Sequence, residues 1–171
     1  MTSSVDLHFP ELADIISPWW PGTHPVGVPP HITLLYPWVD PIDDAAMAAV
    51  TEVAAATDSF DVRFTSIHIF ESGAIYLRPD PDAAINCLMR RLAHRFPETP
   101  LYGGAVVAPV PHLTVARTDS GEAARSLVTR IADALTPSLP LRVSITALSV
   151  MEEGRDGVWA TVRKIPLRRP T

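Results

Sequence analysis

The sequence has few of the features that mark secreted, metal-binding or membrane proteins. It holds one cysteine, Cys87, among 171 residues, so no disulfide can form within the chain and we expect a reducing, cytoplasmic location. No apolar stretch approaches the roughly 20 residues that a membrane-spanning helix requires, and we expect no membrane partner. The six histidines show no spacing typical of zinc ligands. We therefore expect a reaction without a metal or other cofactor.

Positive charge is scarce in the first half of the chain. Residues 1–85 contain 2 basic and 12 acidic residues, whereas residues 86–171 contain 12 basic and 7 acidic residues. The net charge of −5 argues against a protein that coats extended nucleic acid through electrostatics. The uneven distribution is compatible with a small anionic ligand drawn to one side of the molecule, and equally with arginines on solvated helices.

Hydrophobic patterning predicts an α+β fold in which strands alternate with helices. Strands are predicted at Val5–Phe9, His31–Tyr36, Phe60–Phe70, Ala74–Leu77, Val110–Arg117, Leu141–Met151 and Val158–Arg163. Helices are predicted at Pro10–Ile16, 41–57, Pro81–Phe96 and Asp119–Leu135. No linker separates independent domains, so we expect one domain over residues 1–171.

An internal repeat organises this pattern. The segment Pro30-His31-Ile32-Thr33-Leu34 recurs as Pro111-His112-Leu113-Thr114-Val115, an offset of 81 residues. Residues 64–71 and 145–152 are similar at the same offset. The sequence therefore predicts two pseudo-symmetric βαββ lobes, at about residues 28–79 and 109–163, whose antiparallel sheets face a central cleft.

Each repeat carries a His-x-Thr motif. In a strand, residues two apart point to the same face, so His31 lies beside Thr33 and His112 beside Thr114. Imidazole suits proton transfer near neutral pH, and one histidine of a pair is able to accept a proton while the other donates one. Threonine hydroxyls hold an anionic oxygen without carrying charge. The four side chains together point to acid–base chemistry on a phosphodiester.

The chain resembles the 2H phosphoesterase superfamily, and within it the bacterial 2′-5′ RNA ligase-like proteins. The resemblance covers nearly the whole chain and rests on four segments, which are residues 27–37, 95–98, 102–104 and 111–117. It implies a bilobal α+β fold, a metal-independent reaction and two catalytic histidines, His31 and His112, with Thr33 and Thr114 in the same cleft.

The resemblance also suggests substrate-binding roles for the residue five positions after each histidine. These are Tyr36, which would stack on a base, and Arg117, which would bind phosphate. Strand parity places both on the face opposite the histidines. Only a twist or break in the strand would turn them inward.

The leading functional prediction is a cyclic phosphodiesterase, a hydrolase of 2′,3′-cyclic phosphate or 2′-5′ phosphodiester bonds. The partner would be an RNA end or a small nucleotide, and we expect a monomer. Two alternatives remain: 2′-5′ RNA ligation by the same groups, or a nucleotide- or RNA-binding module without turnover.

Overall fold

The computed structural model describes residues 2–20, 24–106, 108–118 and 122–170. Its eight strands are β1 Ser3–His8, β2 His31–Leu35, β3 Phe60–Ile69, β4 Ala74–Asp80, β5 Leu113–Arg117, β6 Leu141–Ile145, β7 Ala147–Glu153 and β8 Trp159–Pro166. Its α-helices are α1 Ala13–Ile16, α2 Asp44–Ala55, α3 Ala83–Arg95 and α4 Glu122–Leu135. Short 3-10 turns lie at Pro10–Leu12, Ser17–Trp19, Leu101–Gly104 and Thr136–Ser138. The predicted start of the last helix, Asp119, lies outside the described residues.

The strands form two antiparallel sheets of four strands each, which confirms the predicted two-lobe α+β fold. The first sheet has the order β2-β1-β7-β8 and the second has the order β5-β4-β3-β6. The first His-x-Thr motif therefore lies on edge strand β2, and the second lies at the start of edge strand β5, one residue before which His112 stands. These two edge strands, β2 and β5, contact each other, so the motifs meet where the two sheets adjoin.

The two sheets do not coincide with the two halves of the chain. The segment predicted as one strand, Leu141–Met151, is interrupted at Thr146. Its first part, β6, pairs with β3 in the second sheet, whereas its second part, β7, pairs with β1 and β8 in the first sheet. Each sheet therefore contains strands from both halves of the sequence.

The register of β3 and β6 brings equivalent positions of the repeat together. Val62 lies directly opposite Val143, and these residues are separated by the same 81 positions as the two motif histidines. An antiparallel ladder centred on such a pair is what a two-fold relation between the halves requires. Both side chains are buried, so the proposed pseudo-two-fold axis passes through the core.

A continuous core joins the lobes. Helix α3 contacts β2 and α2 contacts β8, while α4 contacts β3. Phe9 after β1 packs edge-to-face on Phe64 of β3 at 5.5 Å between ring centroids. In the described part of the chain, no helix has the length and apolar character needed to cross a bilayer.

Local sequence explains the helix that follows the first motif strand. The Asp43 carboxylate accepts a hydrogen bond from the Ala46 backbone N–H at 2.7 Å, so it caps α2 where free amide groups would otherwise remain. The helix begins at Asp44 rather than at residue 41 because the Asp43 side chain caps it at that point. The buried face consists of small and β-branched residues, which are Ala46, Ala49, Val50, Val53 and Ala54.

Candidate active site

A cavity of about 330 Å³ lies between the two motif strands. All six site residues expected from the sequence line it. They are His31, Thr33, Tyr36, His112, Thr114 and Arg117. The structure thus brings the two motifs to one place, as the sequence repeat leads one to expect. The cavity is also lined by Ser4, Asp6, Trp20, His24, Pro25, Val28, Tyr102, Ala116, Met151 and Trp159.

A bulge in each motif strand explains how Tyr36 and Arg117 reach the cavity. On β2, Leu34 is an extra residue between the pairs Thr33–Asp6 and Leu35–Val5. On β5, Val115 is extra between Thr114 and Ala116. One inserted residue shifts the alternation of side chains by one position.

Simple alternation of side chains predicted that Tyr36 and Arg117 face away from the histidines, and this prediction was wrong for both residues. The positions three after each motif threonine return to the threonine's face. The two bulges lie at equivalent positions of the repeat, because Leu34 and Val115 are 81 residues apart.

Both motif histidines are held in the same way. The Nδ1 atom of His31 lies 2.9 Å from the Pro29 carbonyl oxygen, and the Nδ1 atom of His112 lies 2.8 Å from the Val110 carbonyl oxygen. Since a carbonyl only accepts, each Nδ1 must carry hydrogen and donate it. This fixes the tautomer and leaves Nε2 as the nitrogen that exchanges protons with a ligand. His112 precedes β5, whose first residue is Leu113, so this hydrogen bond orients a side chain outside the regular strand.

The cavity disfavours a positive charge on either imidazole before a ligand binds. Burial lowers the pKa of His31, and the hydrogen bond to the Pro29 carbonyl partly offsets this effect. Burial also lowers the pKa of His112, with smaller decreases from the charges of His31 and Arg117. Both rings line the same cavity, so a charge on His31 disfavours a charge on His112. An anion between them would reverse this balance and favour protonation.

Aromatic rings restrict the position of His112. The Phe70 ring lies edge-to-face on the imidazole at 4.9 Å between centroids, and the Tyr76 ring does so at 5.5 Å. Phe70 and Tyr76 stack on each other at 4.0 Å, so they form one support. On the other side of the cavity, Trp20 stacks on His24 at 3.7 Å, and His24 lies 6.3 Å from the His31 ring. His24, which lies in the loop before the first motif, thus forms part of the cavity wall.

Comparison with known families gives a match over most of the chain. A model of the 2′-5′ RNA ligase superfamily matches residues 22–157. The chain belongs to this superfamily of 2H phosphoesterases. A comparison with proteins of curated function gives no significant match.

Several solved structures have the same fold as this chain. TT0787 of Thermus thermophilus is similar with a TM-score of 0.67 and 16% identity, over 100% of both chains. E. coli LigT complexed with 3′-AMP is similar with a TM-score of 0.64 and 15% identity, over 98% of both chains. LigT complexed with phosphate has a TM-score of 0.57 and 13% identity, over 98% of both chains.

One cavity residue of this superfamily member was not anticipated from the sequence. Asp6 of β1 is 2% exposed, and burial raises the pKa of its carboxyl to about 7, an effect that the hydrogen bond from Ser4, and to a smaller extent the nearby Thr33 hydroxyl, partly offsets. Burial, together with the charge of Asp6, raises the pKa of the Tyr102 phenol to about 12. The strand pattern marked Asp6 only as a polar residue. Its position between two other strands of the sheet is what buries it.

The cavity thus combines proton-transfer groups with neutral hydroxyl donors and one arginine. In the described residues, no group of three or more His, Cys, Asp or Glu side chains is arranged to hold a metal ion. The two imidazoles line one cavity, and the hydrogen bond of each Nδ1 to a carbonyl leaves its Nε2 as the nitrogen that would meet a ligand. The aromatic side chains at the rim, Tyr36 and Trp159, lie 6.2 Å apart between ring centroids and offer surfaces for a flat ligand.

Proposed function

We propose that the protein is a metal-independent phosphodiesterase that hydrolyses 2′,3′-cyclic phosphate or 2′-5′ phosphodiester bonds in RNA ends or small nucleotides. His31 and His112 are the catalytic acid and base. Thr33, Thr114 and Arg117 bind the phosphate, and Tyr36 contacts the nucleoside.

The observation that carries this proposal is the matched anchoring of the two histidines. Each Nδ1 donates to a carbonyl two residues earlier, and both rings line the same cavity. A histidine that served only packing would not need this fixed tautomer with an available Nε2. Two such histidines facing one cavity supply the acid and the base of an in-line displacement.

In the proposed reaction with a cyclic phosphate, Nε2 of one histidine takes a proton from water as the water oxygen attacks phosphorus. The bond from phosphorus to one ribose oxygen breaks, and Nε2 of the other histidine donates its proton to that oxygen. Since both pKa values are lowered in the free protein, the bound anion must favour the protonated form of the acid. The threonine hydroxyls and Arg117 hold the non-bridging oxygens.

The relatives support the choice of ligand. E. coli LigT forms complexes with 3′-AMP and with phosphate, and its fold matches this chain over 98% of its length. A nucleoside monophosphate has the two parts that the cavity suits, an anionic group for the motif side chains and a flat base for the rim aromatics.

The test is a turnover assay with the four nucleoside 2′,3′-cyclic phosphates and a 2′-5′-linked dinucleotide, in the presence of EDTA. We expect a phosphomonoester product, and we expect His31→Ala and His112→Ala to abolish most of the turnover. His94→Ala is the matched control, because this histidine is exposed on α3 and does not line the cavity. Equal turnover in the two motif variants and the wild type would contradict the assignment.

The same assay separates the alternative functions. Joining of a 5′-hydroxyl end to a cyclic phosphate end, without net hydrolysis, would indicate the ligase activity after which the superfamily is named. Binding of the nucleotides without any product would indicate a binding module.

A further inference from the structure

We propose that Asp6 is a positioning residue of the anion site, which orients the Thr33 hydroxyl and takes up a proton when a phosphate group occupies the cleft. This inference rests on the proposed function, because it assumes that the cleft binds an anion. It adds to that function a third proton-binding group outside the two motifs.

The first support is the placement of the Asp6 carboxyl. Asp6 pairs directly with Thr33 across the β1–β2 ladder, so the two side chains share the face that lines the cavity. The Ser4 hydroxyl donates to Oδ2 at 2.5 Å. The other oxygen, Oδ1, is buried and makes no well-formed hydrogen bond in the described part of the chain. An unpartnered buried carboxylate oxygen beside a motif threonine calls for a proton or a ligand.

The second support is the set of groups that face Asp6. The neighbouring strand β7 contributes Ser149, which does not titrate, and the row continues to Lys164 on β8. The other titratable or charged side chains are His8 on β1 itself, His31 on β2 and Tyr102 in the 3-10 turn, with His112 and Arg117 of the second motif in the same cavity.

None of these side chains neutralises the carboxylate. Burial lowers the pKa of His8 to about 4, and the Tyr102 phenol has a pKa of about 12, so both are neutral near pH 7. Burial also lowers the pKa values of His31 and His112, which disfavours a positive charge on either ring. Lys164 is two strands away from Asp6. Within the described residues, no salt bridge reaches Asp6.

An anion in the cleft would interact unfavourably with an ionised Asp6. Like charges in a site of low polarity raise the pKa of the weaker acid. The pKa of Asp6 in the empty cleft is about 7, so only a small further increase protonates it fully under neutral conditions. Anion binding is therefore coupled to the uptake of one proton from solvent by Asp6.

The protonated form also makes better use of Thr33. A neutral carboxyl donates its new O–H to the Thr33 hydroxyl oxygen, while the Ser4 hydroxyl continues to donate to the other oxygen. The Thr33 hydrogen is then free to donate to the bound phosphate. With Asp6 ionised, that hydrogen is instead attracted to the carboxylate and turned away from the ligand.

The test is calorimetric titration with sulfate, whose own protonation does not change near neutral pH. Titration at about pH 7.5 in buffers of different ionisation enthalpy gives the number of protons that the protein takes up. At this pH a carboxyl with a pKa of about 7 is roughly one quarter protonated, so Asp6 accounts for up to roughly 0.7 proton. We expect the uptake by Asp6→Asn to be smaller by this amount.

The Asp6→Asn side chain mimics the protonated acid, because its amide N–H donates where the carboxyl O–H would. Between about pH 6.5 and pH 8.5, the affinity for sulfate should decrease in both proteins. We expect the factor of this decrease to be roughly tenfold larger for the wild type than for the variant. Asp14→Asn, an exposed residue of α1, is the matched control and should behave as the wild type. A residue with a purely structural role would change the stability but not the proton count.

The outcomes are distinct. If sulfate binds in a manner that His31→Ala and His112→Ala weaken, but the wild type and Asp6→Asn take up equal numbers of protons, the inference is overturned and the proposed function stands. If sulfate does not bind in the cleft, both are overturned.

If Asp6→Asn does not fold, carbon-13 NMR of the wild-type carboxyl groups decides. The inference requires one carboxyl group that titrates near neutral pH and whose pKa increases when sulfate is added. If sulfate leaves the titration of this carboxyl unchanged, the inference is overturned.

Discussion

Replacement of Asp6 by asparagine should make the protein more stable at high pH relative to the wild type. The pKa of Asp6 is raised from 3.8 to about 7 on folding, so the folded state binds its proton more tightly than the unfolded state does. A raised pKa contributes stability that is complete below the unfolded value and is lost as the pH increases through the folded value. Asparagine does not ionise and shows no such loss.

The magnitude follows from the size of the shift. At about 1.4 kcal/mol per pH unit, a shift from 3.8 to about 7 corresponds to about 4 kcal/mol of unfolding free energy. The histidines act in the opposite direction, because a lowered pKa stabilises the fold as the pH increases toward 6.5. They are present in both proteins, so the difference between wild type and variant isolates the aspartate.

The assay is urea denaturation of both proteins at several pH values between about 4 and 8, with Asp14→Asn as the exposed control. The free energy difference between wild type and Asp6→Asn should change by about 4 kcal/mol across this range, in favour of the variant at high pH. The control difference should stay nearly constant. A constant difference for Asp6→Asn as well would refute the argument that burial holds a proton on this side chain.

Three further predictions concern the catalytic groups and the wall of the cleft. Alanine at His31 or at His112 should each lower the turnover rate by roughly 10²-fold or more, and the double variant should lose little beyond either single one, which steady-state kinetics on the best cyclic phosphate would show. A plot of the logarithm of kcat/KM against pH should be bell-shaped, because one imidazole must be neutral and the other protonated. Burial lowers both histidine pKa values, so both limbs of the curve should lie below the usual histidine range. A value of kcat/KM that increases steadily to alkaline pH would contradict this prediction. Gly27→Ala should destabilise the protein by more than about 1 kcal/mol, because Gly27 has a φ of +88° and a Cβ atom there would lie 2.1 Å from the Trp159 carbonyl oxygen. Thermal denaturation measures this loss of stability, and an unchanged Tm would contradict the close packing of Gly27 on Trp159.

The sequence was sufficient to find the motifs and the two-lobe fold, because the repeat placed His31 and His112 at equivalent positions. It was not sufficient to place Tyr36 and Arg117, since simple alternation sends them away from the cleft. The missing signal is the pair of apolar residues after each motif threonine, which are residues 34–35 and 115–116. On these two edge strands the pairs are buried on both faces, and each contains the extra residue of the bulge.

Two further features depend on tertiary structure and left little trace in the sequence. In the sequence, Asp6 occupies a polar position of an alternating strand pattern, which predicts exposure to solvent. In the structure it is buried, because β1 pairs with β2 on one side and with β7 on the other. The change of sheet at Thr146 occurs within a continuous β-like segment, because one residue out of register is enough to redirect the chain. Strand partners are long-range information that hydrophobic periodicity does not contain.

The exchange of strands between the sheets has a consequence for how the protein folds. Neither sheet can be completed from one half of the chain, since β7 and β8 close the sheet that contains β1 and β2, whereas β6 joins the sheet that contains β3 and β4. A fragment that ends before β6 would lack strands in both lobes and leave apolar ladder edges exposed. We therefore expect the two lobes to melt in one cooperative transition, and the two halves, expressed as separate chains, to fold only when they are mixed.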